Sequence, residues 1–188
     1  KDLEQIHGQQ LMMMAVSNEA LSQPKDINPD RTSAYIGMGA DSEATRYFSR
    51  LTAYDFMDKN KIIAPLNATR TLGCMPNVPA NRLNVLYDFK GPSFTFSSEE
   101  LSGIDALNAA IVALSRNEID TALVGAVDLS CDEIHQLAVS QCLVPEKQIA
   151  GDAAVALVLK TIDKALEDDE QILAIIESGE LGKNVNET

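Results

Sequence analysis

The sequence predicts an α/β domain built on a mixed sheet, and three observations carry that expectation. Short β-prone apolar runs alternate with helical patterns along the chain. Two of these runs, TALVGAVDL and DAAVALVLK, are apolar along nearly their whole length, as strands buried on both faces are. An alanine-rich helical stretch ahead of TALVGAVDL is apolar on most sides, the pattern of a buried helix.

Each element can be justified in turn. Residues 3–21 read as a helix, with Leu11, Met14, Ala15, Asn18 and Leu21 at helical spacing and the two prolines of QPKDINPD ending it. SAYIGMG (33–39) is short, β-prone and closed by glycine, as a buried strand entering a loop is. Residues 41–56 are polar with scattered aromatics and read as a short helix and loop. In NATRTLGCMPNVPANRLNVLYDF, Pro76 and Pro79 precede a helical pattern with Val78, Leu83, Leu86 and Phe89 as apolar points.

GPSFTF (91–96) is a turn followed by a strand, and SSEELSG starts a helix running to about Arg116. Ile104, Leu107, Ile111 and Leu114 form its large apolar stripe, while Ala106, Ala109, Ala110 and Ala113 keep the other faces small. Strands follow at 121–129 and 152–160, a short helix at 163–167, and a last strand in QILAIIESGEL (171–181). The acidic run at 167–170 reads as a solvated turn, His135 as a position on a short surface helix, and Cys131 as a small packed residue. The run of Met12, Met13 and Met14 divides between core and interface, where thioether side chains adapt to irregular partners. No repeat, low-complexity stretch or linker divides the chain, so 1–188 reads as a single domain.

Composition narrows the function. A formal charge of −13 over 188 residues argues against nucleic acid and anionic membrane as partners, because phosphate binding relies on clustered Lys and Arg. No apolar run approaches the roughly 20 residues that span a bilayer. The three cysteines, Cys74, Cys131 and Cys142, have no metal-ligand spacing, and only His7 and His135 accompany them, so no metal site is expected. An odd cysteine count suits a reducing cytoplasm. Nothing in the pattern calls for a cofactor. The first residue is Lys1 and a helical pattern follows almost at once, so the chain reads as a piece of a longer one.

The order of segments says more. PANRLNVLYDFKGPSFTFSSEELSGIDALNAAIVALSRNEIDTALVGAVDLS resembles the central region of β-ketoacyl synthases, which reads approximately PAGRIS, then LKGPS, TVDTAC, SSSLVAL, an alanine-rich helix and DLALAGGVNL. IHGQQLMMMAVSNEAL is similar to that family's DPQQRLLLEVAWEAL, and GDAAVALVLKTIDKALEDDEQILAII to its GEGAGVVVLKRLEDALRDGDRIYAVI. The resemblance implies the N-terminal half of a thiolase fold, with a mixed sheet, a buried helix and covering helices.

In that family a cysteine at the start of the buried helix takes the acyl chain, since the helix dipole and free N–H groups favour thiolate. Aligning GPSFTFSSEELSG on the motif puts Glu100 at the nucleophile position and Glu99 on the preceding alanine. The resemblance therefore implies no catalytic residue in this segment. Ser97 and Glu100 have capping-box spacing, so both are expected to cap the helix, the serine on the amide three residues on and the carboxylate on the N-cap amide. Ser97 and Ser98 lack the Gly-x-Ser-x-Gly surroundings of a nucleophile elbow. The loop that helps shape the acyl pocket in the family is here only CDEIHQLAVSQCLVPEKQIA.

The resemblance further implies a degenerate segment such as opens the acyltransferase subunit of some bacterial polyunsaturated fatty-acid synthases. Its partners would be other domains or subunits of the synthase, with acyl carrier protein contact and a homodimer. A chain-length-factor-like partner of an active subunit, and an enzyme with an unrelated nucleophile, are the alternatives. The dimer contact falls on Ser93, Phe94, Thr95 and Phe96, with Phe94 and Phe96 on one face and Thr95 on the other.

Overall fold

The computed structural model describes residues 5–39, 58, 65 and 67–177. Its elements are α1 (Gly8–Leu21), β1 (Thr32–Met38), α2 (Ala68–Cys74), α3 (Pro79–Tyr87), β2 (Phe94–Phe96), α4 (Ser102–Ser115), β3 (Thr121–Leu129), α5 (Glu133–Cys142), β4 (Asp152–Lys160) and α6 (Ile162–Glu167). The strands form one sheet in the order β2-β1-β3-β4. β1 runs parallel to β2 and β3, and β4 closes antiparallel on β3 over nine registered pairs from Thr121–Lys160 to Leu129–Asp152. This is the mixed sheet expected.

Parallel neighbours require crossover connections, and those connections cover the sheet faces. On one face Ala34, Ile36, Met38, Leu123 and Val127 pack with Met13 of α1 and with Ala80 and Leu83 of α3. On the other, Tyr35, Ala122 and Val124 pack with Ala106, Ala110, Ala113 and Leu114 of α4. β1 is buried at every position, which is why its sequence shows no polar alternation.

α4, expected to be buried on most sides, is buried chiefly through its alanine face, with Leu114 the buried member of the Ile–Leu stripe. Ala106 and Ala110 are fully buried, whereas Ile104 is 48% exposed, and Leu107 and Ile111 are half-buried. The physical reason is distance. A Cβ built on Gly103 would lie 2.9 Å from the Ala126 side chain. Only small residues let the helix sit that close.

α1 also turns a face other than the expected one to the core. It begins at Gly8 and buries Gln9, Gln10, Met13 and Ser17, while Leu11 is 36% exposed. The buried amide of Gln10 is satisfied on its nitrogen side, where Nε2 donates to the carbonyls of Leu72 at 3.2 Å and Met75 at 3.1 Å. Met13 lies against Gly125, where an added Cβ would meet its Cε at 2.4 Å.

Three further expectations are corrected. Residues 171–177 form no strand and are exposed, so their apolar side chains are not gathered into the sheet; 178–181 lie outside the described residues. The acidic run at 167–170 is a turn solvated only in part: the Glu167 and Asp169 side chains are exposed as expected, but those of Asp168 and Glu170 are 7% and 10% exposed against Lys160. Cys131 is exposed rather than packed, its amide donating to Asp152 Oδ1 at 2.8 Å. Leu83 and Phe89 are buried as expected, whereas Leu86 is exposed. The helix and loop expected over 41–56 lie outside the described residues.

Candidate functional site

The carboxyl ends of β1 and β3 point the same way, and both open into a cleft of about 590 Å³. Clefts in open parallel sheets lie where strands end and helices begin. Here Gly37 and Met38 line it from β1 and Gly39 just after it, Ala126 to Leu129 from β3, Ala153 to Val155 from β4, Glu99 and Glu100 from the bend before α4, and Ser102 and Gly103 from its first turn. Gln9 of α1 and His135 of α5 complete the wall.

Close packing places α4 at that opening. A Cβ on Gly37 would stand 2.5 Å from backbone atoms of Ser102 and Gly103, so glycine at 37 is what lets the first turn of α4 rest on β1. The chain reaches this turn from β2 through a sharp bend. Glu99 adopts φ 53°, a left-handed conformation that side chains rarely take, at a cost of about 1–2 kcal/mol. The bend is held from within. Ser98 N–H donates to Ser102 Oγ at 2.9 Å, and that hydroxyl donates to Glu99 O at 2.6 Å. Leu101 N–H donates to Ser98 O at 3.0 Å.

These bonds correct the expected cap. The helix starts at Ser102 with Leu101 in the N-cap position and no side chain capping it. Ser97 and Glu100 therefore precede the helix and form no capping box; the left-handed bend at Glu99 delays the start, and the serine that organises the turn is Ser102. Ser97, Ser98, Glu99 and Glu100 are all exposed. The Ser-x-x-x-Ser spacing of Ser98 and Ser102 was the available signal, masked by the stronger-looking Ser97–Glu100 pattern.

The wall of the cleft is acidic, its lining including Glu99, Glu100 and Asp128 together with His135. Cys74, Cys131 and Cys142 do not line it. Desolvation and the Asp152 carboxylate push the Cys131 thiol up, away from thiolate. His135 sits on α5, as expected of a surface helix, and α5 buries no residue. Asp132 starts that helix, its Oδ1 accepting from Ile134 N–H at 2.9 Å. Ser130 Oγ closes the base of the 131–150 excursion by donating to Gly151 O at 2.7 Å. No group of His, Cys, Asp and Glu among the described residues is arranged to hold a metal ion, and no helix there is long and apolar enough to cross a membrane.

The residues of the expected dimer contact lie at the opposite edge of the sheet. Ser93 Oγ accepts from Ala34 N–H at 2.7 Å and so joins the loop to β1. Phe94 and Phe96 both contact the Tyr35 ring, with centroids 6.2 and 6.3 Å away, and Phe94 remains 54% exposed. Thr95 Oγ1 is buried and makes no hydrogen bond among the described residues.

Comparison with known proteins agrees with this architecture. The family model described as "Beta-ketoacyl synthase, N-terminal domain" matches residues 1–165. Cyclo-acetoacetyl-L-tryptophan synthase of Aspergillus oryzae is 27% identical over 93% of this chain, which spans 5% of that relative's length. A type II polyketide synthase ketosynthase, solved in complex with its acyl-carrier protein, superposes with a TM-score of 0.68 at 20% identity, over 87% of this chain and 49% of that one. The PfaC ketosynthase–chain length factor superposes at 0.69 and 22% identity, over 82% of this chain and 20% of that one. A glycine-seated helix at the strand ends, a mixed sheet and a match over most of its length place the chain in the β-ketoacyl synthase family, as a ketosynthase-like N-terminal domain of thiolase fold.

Proposed function

We propose that the chain is a non-catalytic, structural ketosynthase-like segment of a fatty-acid or polyketide synthase whose parent transfers acyl or malonyl groups. One observation carries the reading: the cleft at the head of α4 is walled by Glu99, Glu100 and Asp128, and no cysteine lines it. An acyl group is passed on from an activated thiolate or hydroxyl, and a carboxylate does not hold it as a thioester. Glu100, aligned with the nucleophile by the GPSFTFSSEELSG motif, offers neither. Its partners in this reading are the synthase's other domains or subunits, an acyl carrier protein among them, with a second copy against β2. Exposed free Cys131 and Cys142 support a reducing compartment such as the cytoplasm.

A chain-length-factor-like role shares the missing thiol but requires an active partner subunit. The test is incubation with acyl- and malonyl-carrier thioesters followed by intact mass measurement. The structural reading expects no covalent adduct, alone or with candidate partner subunits, and no change in their product length. An adduct on Ser97, Ser98 or a cysteine would overturn it, and a shift in a partner's product length would move the assignment to the chain-length role.

A further inference from the structure

Lys160, the last residue of β4, is charged and almost fully buried, with its side chain 5% exposed. Its ammonium has three protons to donate. All three find an acceptor: Asp26 O at 2.5 Å, Asp168 Oδ2 at 2.7 Å and Glu170 Oε1 at 2.6 Å. Glu170 in turn reaches back across the sequence. Its carboxylate accepts from Lys25 N–H at 2.9 and 3.1 Å and from Asp26 N–H at 3.4 Å. Around this centre, Lys25 Nζ pairs with Asp169 at 2.5 Å and Lys164 Nζ with Asp168 at 2.8 Å.

The two segments joined here are 144 residues apart in sequence. One is the loop between α1 and β1, which has no regular structure at Lys25 and Asp26. The other is the turn after α6, bent at Asp169 with φ 51°. A buried lysine paired with two carboxylates is a poor way to gain stability, because desolvation offsets much of the attraction. It does impose one arrangement, since removing the lysine leaves two buried carboxylates without their shared cation, and removing a carboxylate leaves one ammonium proton without its acceptor. Residues 171–177 follow directly, with Leu173 84% and Ile175 61% exposed and no strand paired with them among the described residues. Their direction is set where they start.

We propose that the Lys160–Asp168–Glu170 cluster is a clasp that locks the turn after α6 onto the loop after α1 and so fixes the path on which residues 171–177 leave the sheet. Lys160 and Glu170 are positioning residues: they orient an apolar segment that their own element does not bury. The clasp ties that segment to the end of α1, the helix whose other end reaches the cleft through Gln9.

Hydrogen exchange on the chain tests this. Glu170→Ala is expected to speed exchange of the Lys25 and Asp26 amides by about tenfold or more, as local opening does, and to speed it at the hydrogen-bonded amides of 168–170. Amides of β3 and α4 should keep their rates. Lys160→Met should reproduce the pattern, and where it fails to fold, Glu170→Gln supplies the milder case, which keeps an acceptor for the amides while losing the charge. Unchanged exchange at Lys25 and Asp26 in Glu170→Ala would overturn the clasp. So would a uniform rise across the whole sheet, which is ordinary destabilisation rather than release of one joint.

Discussion

Gly37 and Ser102 meet so closely that a single added carbon at 37 would lie 2.5 Å from the Ser102 backbone. The contact fixes where α4 begins and therefore which residues face the cleft. Gly37→Ala is expected to push the first turn of α4 outward, at about 1–3 kcal/mol for overpacking. A domain of this size loses about 2–4 °C of Tm per kcal/mol. Thermal melting should show that loss, together with faster exchange in the first turn of α4. A variant as stable as the parent would mean that the helix sits less firmly on β1 than the packing requires.

Ser102, rather than Ser97 or Glu100, should carry the stability of the bend. Ser102→Ala removes the hydroxyl that accepts from Ser98 N–H and donates to Glu99 O, at about 1 kcal/mol or more. Glu100 is exposed and caps nothing, so Glu100→Ala should stay within about 0.5 kcal/mol of the parent. Paired denaturant titrations check both. The reverse order of effects would restore the capping box.

Much of the fold was legible in the sequence because its strands are continuous apolar runs. Only β1 and β3 are buried along most of their length, however; β4, expected to be fully buried, is exposed at Ala153, Val155 and Leu157. TALVGAVDL and DAAVALVLK coincide with β3 and β4 to the residue. The helices were harder. Hydrophobic periodicity points to the largest apolar side chains, whereas α4 is placed by how little space Ala106 and Ala110 occupy. The same limit hid the inner face of α1, where Gln10 is buried with its amide nitrogen donating to carbonyls 62 and 65 residues away. Likewise, an acidic run reads as solvated unless its lysine is known to lie beside it. The position of Glu100 at the head of α4 was legible from motif order; the left-handed turn at Glu99 that keeps it out of the helix was not.

Restoring a thiol should not restore condensation. Glu100→Cys would place sulfur beside Glu99 and Asp128 in the cleft wall. Neighbouring negative charge disfavours thiolate. The expected result is no chain extension with acyl- and malonyl-carrier thioesters, assayed by mass spectrometry of the products. Extension by this single variant would show a site far less altered than its wall suggests.

The clasp should have a defined pH window. Hydrogen bonds from Lys160 and Lys164 hold Asp168 below the ordinary carboxylate range. Burial alone would raise Glu170, but Lys160 and the amides of Lys25 and Asp26 outweigh it and lower it too. As pH falls, the unfolded chain binds these protons first, so the contribution is complete above the ordinary carboxylate range of about pH 4 and is lost as pH drops through the folded values. Burial would lower Lys160, but Asp168 and Glu170 outweigh it and raise it, so its contribution holds below the ordinary lysine value and is lost as pH rises through the folded one. Lys25, Asp169 and Glu167 lie on the rim of the same cluster. The Tm difference between the parent and Glu170→Gln should be widest near neutral pH and shrink in acid. A difference constant from neutral pH to pH 3 would rule out this linkage.

Association should run through the edge of β2. The strand pairs with β1 on one side only, so its other edge carries no partner among the described residues. An open edge bearing aromatic side chains tends to pair with another strand. A second copy meeting it about a two-fold axis would bring the same edge against itself. The two phenylalanines are not equivalent probes. Phe96 is half-buried and packs with the Tyr35 cluster, so a charge there would damage the fold before it reported on assembly. Phe94 is 54% exposed beside the same edge, and a charge at that position can be solvated in the monomer but not in a paired edge. Phe94→Asp is therefore expected to leave the Tm of the monomer nearly unchanged while shifting a dimer to monomer in light scattering at micromolar concentration. Phe96→Asp should lower Tm as well, because it puts a charge at a half-buried position packed on the core cluster around Tyr35. A parent chain that is monodisperse and monomeric at high micromolar concentration, or a Phe94→Asp variant that dimerises as well as the parent, would remove β2 as the contact.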